Sequence, residues 1–521
     1  MNFKLSELLA KQLQGAGLVV ERRKGVPPLL EVEPNQWADV AREARAVDCR
    51  LVAEWASQEN DGFTVHAAFA RREEGYALVA ARLHHGSNFF RTLVPHYPAA
   101  SRMERTIHDL FGLHARGHSD LRGWIKHEHW PEETFPLRKN FPADSKMEYR
   151  AGEFPFIPMD AEGAYAIPVG PVHAGIIEPG HFRFSAVGEQ ILNLEQRLGY
   201  VHKGIEKQME GRDVASGIRL AGRISGDATV AHSWAFCLAA EQAVGVEVPR
   251  RAAHLRAVLC ELERIANHVG DIGAICNDAA WSFMHMQCQR LREDCARLHH
   301  RLFGHRLLMD TVIPGGMTVD LDAKGISLLL EHTRCIAREM EELFTIYEDH
   351  PSIRERVIGS GTVSAEDARA LGLVGYAARS AEQDLDARRD AVYPPYDQHP
   401  PAVQVCRGGD VSARLWIRFQ EIQASARLIQ QLLENLPVGP VKKEVPVPTT
   451  ECWGFAAVES WRGEIAVWLR FGEEGVIDRY YVRDPSVVNW LGLELAVREV
   501  PVPDFPLNNK SFNCSYSGND L

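Results

Sequence analysis

Apolar residues recur three and four positions apart along Leu5 to Leu18, Arg251 to Ile272, Phe283 to Leu307, Ile326 to Tyr347 and Val411 to Leu436, a spacing that predicts amphipathic helices. Alternating or short continuous apolar runs mark Phe63 to Ala70, Tyr76 to Leu83 and parts of Gly454 to Val482, above all Glu464 to Phe471, as strands. Between the mixed N-terminal part and the helix-rich remainder, Pro131, Pro136, Pro142, Pro155 and Pro158 interrupt both periods. The predicted class is therefore α+β. A small α+β domain occupies 1–130, an extended linker 131–165, and a mainly helical domain with a central bundle and peripheral strands 166–521.

With 521 residues, 45% of them hydrophobic and 25% charged, the chain has the composition of a soluble globular protein. Its net charge of −12 argues against a nucleic-acid partner, because phosphate binding needs clustered cations. Apolar runs such as Phe236 to Val248, broken by Glu241, are too short to cross a bilayer, and the N-terminal stretch lacks the apolar core of a signal peptide. Ten cysteines without framework spacing point to a reducing, cytoplasmic setting. Gly359-Ser-Gly-Thr lacks the lysine of a phosphate-cradling loop, and no Gly-x-Ser-x-Gly elbow occurs. His84-His85, His299-His300 and the His114/His118 pair lack partners at zinc-ligand spacing, so no metal site is assigned.

Two groups of motifs change this picture. Glu104 to Arg122, with His118, Asp120 and Arg122, followed by Phe135-Pro-Leu-Arg-Lys-Asn-Phe141, resembles the signature of the 30-kDa subunit of respiratory complex I. Read alone, it is a polar docking surface or a helix end. Gly170-Pro-Val-His-Ala-Gly175, Arg197 to Lys207, Asn267-His268, Gly315-Gly316, Tyr393-Pro-Pro-Tyr396, Gly409-Asp410 and Arg462-Gly-Glu464 resemble the large subunit of group 4 [NiFe]-hydrogenases and the homologous 49-kDa subunit of complex I. The fused order is that of formate-hydrogenlyase-type large subunits. The resemblance implies a peripheral subunit on the cytoplasmic side of the cell membrane, packed on an iron-sulfur small subunit and on membrane-embedded antiporter-like and proton-channel subunits.

The same resemblance locates two metal corners, each a Cys-x-x-Cys pair in the hydrogenases. Aligned without gaps, the first falls on Ser225 and Ala228 and the second on Ser515 and Gly518. Nickel and iron in such a centre need thiolates, and no two of the ten cysteines lie three apart. Gly226 falls where complex I presents a tyrosine to quinone. The expectation is thus a chain that binds no cofactor itself, next to an iron-sulfur cluster in its neighbour, and that couples electron transfer to ion translocation, its emptied cavity either hosting a quinone-like acceptor or linking electron arrival to ion movement through the loops. Candidate catalytic residues are His173, Asp227 and Glu178, and candidate cofactor-binding residues His173, Gly226 and His232. His173 matches a quinone-contacting histidine, Glu178 a proton-transfer glutamate, and Asp227 is a new carboxylate whose pKa enclosure would raise. Asp227 also reads as a solvated turn, and the whole chain also reads as a non-catalytic assembly scaffold. A third option is quinone reduction with another donor in place of the tyrosine.

Overall fold

A computed structural model describes residues 2–23, 25, 27–59, 62–148, 150–159, 161–173 and 177–521. Helix α1 (Leu5–Gly15) buries Leu5, Leu9 and Leu13, the stripe its sequence spacing predicts. After it come β1 (Val20–Arg23), β2 (Leu29–Val32), α2 (Trp37–Ala46), β3 (Arg50–Glu59), β4 (Gly62–Arg71) and β5 (Gly75–Arg82). They form a sheet of order β1-β2-β5-β4-β3, antiparallel except where β2 runs parallel to β5. Helix α3 (Ala100–Phe111) carries the first part of the Glu104 to Arg122 motif. Its Asp109 accepts the backbone N–H groups of Trp124, Ile125 and Lys126 at 2.7, 2.8 and 3.0 Å. Arg105 binds the carbonyls of Arg122 and Gly123. The motif therefore anchors the start of the irregular segment that follows, and a buried carboxylate is satisfied by three donors.

A second sheet, β6 (Tyr165–Val169), β7 (His181–Val187) and β8 (Gln190–Arg197), is antiparallel with β7 in the centre. The bundle comprises α4 (Thr229–Ala243), α5 (Arg250–Asp278), α6 (Ser282–Phe303), α7 (Ala323–Glu348) and α8 (Val411–Glu434). Four of these match the periodic stretches to within a few residues. The fifth, α4, is not visible as a helix in the sequence because it is apolar all round: Val230 to Cys237 are buried in unbroken succession, so no stripe marks a period.

The strands β9 (Cys452–Glu459), β10 (Glu464–Phe471) and β11 (Ile477–Arg483) form a meander that stands between two apolar cores rather than at the periphery. Trp453, Phe455, Ala457, Ala466, Trp468 and Tyr481 face a core shared with the N-terminal sheet, where Trp55 stacks on Tyr481 with ring centroids 4.9 Å apart. The alternate residues Ala456, Val458, Ile465, Val467, Leu469 and Val482 face the bundle. Both faces being buried explains why β10 reads as an almost continuous apolar run. Helices α9 (Ser486–Ala496), α10 (Phe505–Phe512) and α11 (Tyr516–Asp520) complete the chain. No helix among the described residues is long and apolar enough to cross a membrane.

The N-terminal core contains two neighbouring buried carboxyls, Glu54 and Glu104. Thr92 Oγ1 and the Leu93 N–H each donate to Glu104 at 2.6 Å, so the charge settles there and the proton on Glu54. Burial raises both, Glu54 well above the ordinary range and Glu104 to about 7. Because these folded-state values exceed the unfolded one, their contribution is fully present below about pH 4 and is lost as pH rises through the folded values. Urea denaturation from pH 5 to 8 is expected to show a stability loss of about 1–3 kcal/mol from this pair. Glu54→Gln, whose amide can donate to a charged Glu104, is expected to flatten it.

Candidate functional site

The loop preceding α4 and the segment between α10 and α11 are far apart in sequence and meet in space. Ser225 Oγ and Ser515 Oγ lie 2.9 Å apart, both buried. The direction of each hydrogen bond follows from its ends. Gly518 N–H donates to Ser515 Oγ at 2.9 Å, which caps α11, and Ser225 Oγ donates to Asp227 Oδ1 at 2.7 Å. Ser515 must therefore donate to Ser225, and one polarised chain runs from Gly518 to the Asp227 carboxylate.

Arg462 holds that carboxylate from the β9–β10 turn. Its two terminal nitrogens donate to Asp227 Oδ1 at 2.8 Å and Oδ2 at 2.6 Å, while its Nε donates to the Asn513 carbonyl at 2.6 Å. Trp461 Nε1 and Asn267 Nδ2 both donate to the Asp227 carbonyl, at 2.9 and 2.8 Å. Burial opposes the charge on Asp227, but the paired Arg462 guanidinium outweighs it and holds the carboxyl down at about 2. Asp227 is thus not a carboxyl raised by enclosure. It is the ionised half of a forked ion pair.

Beneath the tail, Asp484 occupies the place a side chain at position 518 would take: a Cβ built on Gly518 lies 2.6 Å from its carboxylate. His232 Nε2 lies 3.0 Å from Asp484 Oδ2, and the Ser486 N–H donates to Oδ1 at 2.8 Å. Burial works against the charge of Asp484, yet these partners keep its carboxyl below the usual range. His232 is thereby linked, through Asp484, to the tail beside Gly518.

The other expected residues are placed as follows. Glu178 Oε2 accepts the Ser517 N–H at 3.2 Å, so it does reach the tail. The Nε2 of His173 lies 2.7 Å from the Gly180 carbonyl and its ring 5.8 Å from Phe182, which in turn touches Tyr516. Ala174, Gly175 and Ile176 of the same motif lie outside the described residues. Gly226 is exposed, with open space where a side chain would be, at the rim of a cavity of about 190 Å³. Asp227, Glu263, Asn267 and Arg292 also line it, and His173 does not. Burial pushes Glu263 up to about 8, even though its carboxyl accepts the Val230 and Ala231 N–H groups.

Sequence reasoning missed Arg462, Asp484 and Glu263 as site residues. Arg462-Gly-Glu464 is visible only as a family motif; nothing in it announces a partner 235 positions away. Among the described residues, no three His, Cys, Asp or Glu side chains gather into a group that could hold a metal ion. The four corner positions carry two hydroxyls, a methyl and a hydrogen, and the hydroxyls are engaged with each other, a donor set that does not suit a thiolate-bound nickel–iron centre.

Residues 30–147 match the model of the respiratory-chain NADH dehydrogenase 30 Kd subunit, 278–451 that of its 49 Kd subunit, and 203–270 that of nickel-dependent hydrogenases. Formate hydrogenlyase subunit 5 of Escherichia coli is 32% identical over 83% of this chain and 77% of its own length. The chain belongs to this family of hydrogenase and complex I subunits. Hydrogenase-4 component G of Escherichia coli, another family member, is 31% identical over 98% of this chain and 91% of its own. An NADH-quinone oxidoreductase subunit of Phocaeicola vulgatus is 28% identical over 70% of this chain and 74% of its own. A chain of the membrane-bound sulfane sulfur reductase, an archaeal respiratory membrane complex, shares the fold with a TM-score of 0.65 at 23% identity, covering 70% of this chain and all of that one.

Since Asp227 is held below its unfolded value, its stabilising contribution is present above about pH 4 and lost as pH falls towards 2. Its carboxylate is about a third exposed, which discounts the pair relative to a fully buried one. Asp227→Asn is expected to cost about 1–2 kcal/mol at pH 7 and about a third of that near pH 2.5, as read from denaturant unfolding at both pH values.

Proposed function

We propose that this chain, a subunit of a complex I-like and group 4 hydrogenase-related complex, has lost the nickel–iron centre and couples electron transfer by its neighbours to ion translocation. The observation that carries this reading is the Ser225–Ser515 contact, with Asp484 in the space beside Gly518. Loop and tail are joined there by hydrogen bonds and an ion pair, so the corner keeps its geometry without ligands. An iron-sulfur small subunit would deliver the electrons, antiporter-like and proton-channel membrane subunits would move the ions, and the chain would sit on the cytoplasmic side. Because the cavity at Gly226, at about 190 Å³, is well under the usual size of ligand sites, coupling through the loop is preferred over a quinone-like acceptor bound there. Sensitivity of the assembled complex to quinone-site inhibitors would reverse that preference.

The purified complex is expected to contain no nickel on this subunit by elemental analysis and to evolve no hydrogen. Stoichiometric nickel would defeat the reading. Installing four cysteines (Ser225→Cys, Ala228→Cys, Ser515→Cys, Gly518→Cys) is expected to leave it nickel-free, since a side chain at 518 meets Asp484.

An assembly scaffold is the second reading, favoured by the internal contacts of Asp227 with Arg462 and of His173 with the Gly180 carbonyl. In the assembled complex, His173→Ala together with Asp227→Asn is expected to lower ion translocation per electron at least several-fold. Unchanged translocation with intact assembly would favour the scaffold.

A further inference from the structure

The cavity behind the corner loop, of about 190 Å³, runs along the groove between α5 and α6, and the charges on its wall do not balance. Glu263 and Asn267 border it from one face of α5, and Gln289, Arg292 and Glu293 from one face of α6. Every acid on the wall is already satisfied. Asp227 is bound by Arg462, and Glu293 by Arg297 at 2.9 Å and Arg306 at 3.1 Å. Glu263, raised to about 8, is mostly uncharged at neutral pH. Burial pushes His299, which also lines the cavity, down to about 4, so it is neutral too. That leaves Arg292, which lines the cavity without an ion pair or side-chain hydrogen bond among the described residues.

The fold makes room for this side chain. A Cβ built on Gly270 would lie 2.9 Å from Arg292 Cδ and 3.1 Å from its Nε, so the arginine lies across α5 where a side chain is missing. Gly270 follows Asn267 by one helical turn, which puts the arginine beside the cavity wall, partly buried. A guanidinium is a planar fork of donors that matches the two oxygens of a carboxylate. Gln289, one turn back on α6, adds a side-chain amide that has no hydrogen bond among the described residues. Since one water takes about 30 Å³, an ion of a few heavy atoms fits.

We propose that this cavity binds a small carboxylate, held by the Arg292 fork and the Gln289 amide in the groove between α5 and α6. The site supplies the counter-charge that the wall lacks. It goes beyond the coupling role and does not rest on it: acetate could fail to bind while the nickel and translocation results stand.

Acetate is the probe, and acetamide, which has the same shape without the charge, is its control. In saturation-transfer NMR titrations of the full chain near neutral pH, acetate is expected to bind about tenfold more tightly than acetamide, the worth of a hydrogen bond to a charged group. Arg292→Gln should remove that preference. Gly270→Ala, which keeps every charge but pushes the arginine from its place, should weaken acetate binding several-fold. As a check that needs no variant, phenylglyoxal, which attacks arginine side chains, should modify Arg292 of the wild-type chain more slowly when acetate is present and at an unchanged rate with acetamide. Peptide mass spectrometry reads this, with the exposed Arg301 as reference. The proposal is overturned if acetate binds no more tightly than acetamide, if Arg292→Gln keeps the preference, if Gly270→Ala leaves acetate binding unchanged, or if acetate does not protect Arg292.

Discussion

The guanidinium of Arg462 is the point on which the site depends, because it binds both sequence-distant stretches that form the corner. Two of its nitrogens grip Asp227 in the loop, and the third reaches Asn513 at the end of α10. A fork of this kind is rigid and directional, so it fixes angle as well as distance. Everything else at the corner is cooperative with it. The serine chain ends on the carboxylate that Arg462 keeps ionised, and Trp461 from the same turn secures the backbone of Asp227.

Arg462 can do this because of where its turn is mounted. Strands β9 and β10 belong to a sheet buried on both faces, and the turn projects from it against Gly375: a Cβ on Gly375 would lie 1.8 Å from the Arg462 carbonyl, and the backbone there has a positive φ. Aromatic residues on one face tie the sheet to the N-terminal strands, and aliphatic residues on the other tie it to the bundle. The position of the guanidinium is therefore set by both cores at once. His268 extends the connection inward, with Nε2 2.8 Å from Glu421 and its ring against Trp461. Glu421 is bound in turn by Arg379, which also bonds Glu459 at the end of β9. These charges are buried and mutually paired, the condition under which removing one partner is most costly.

Much of the architecture was legible in the sequence because it rests on short-range periodicity. Leu5, Leu9 and Leu13 announce α1, and the alternation from Phe63 announces β4. Helix α4 was not legible, since an element surrounded by protein has no polar face to mark its period. The central placement of the β9–β11 sheet was hidden for a related reason: strands buried on both sides look alike whether they lie inside or at an edge. At the site, the motif positions led to the right loop and tail, but not to the bond between them. Ser225 and Ser515 are small and unremarkable in sequence, and Asp227 gained its character from an arginine that only folding brings near. His173, placed by resemblance beside the corner, is bound to the carbonyl of Gly180 and linked to the tail through Phe182 and Tyr516.

Gly518 and Asp484 occupy one volume between them. A side chain can grow at 518 only if the one at 484 shrinks or turns away, and turning away would strip His232 and the Ser486 N–H of their acceptor. The two positions therefore cannot drift independently over evolutionary time. Across descendants of this chain they should change as a pair, with the histidine at 232 following, so that three residues scattered over almost 300 positions behave as a single inherited character.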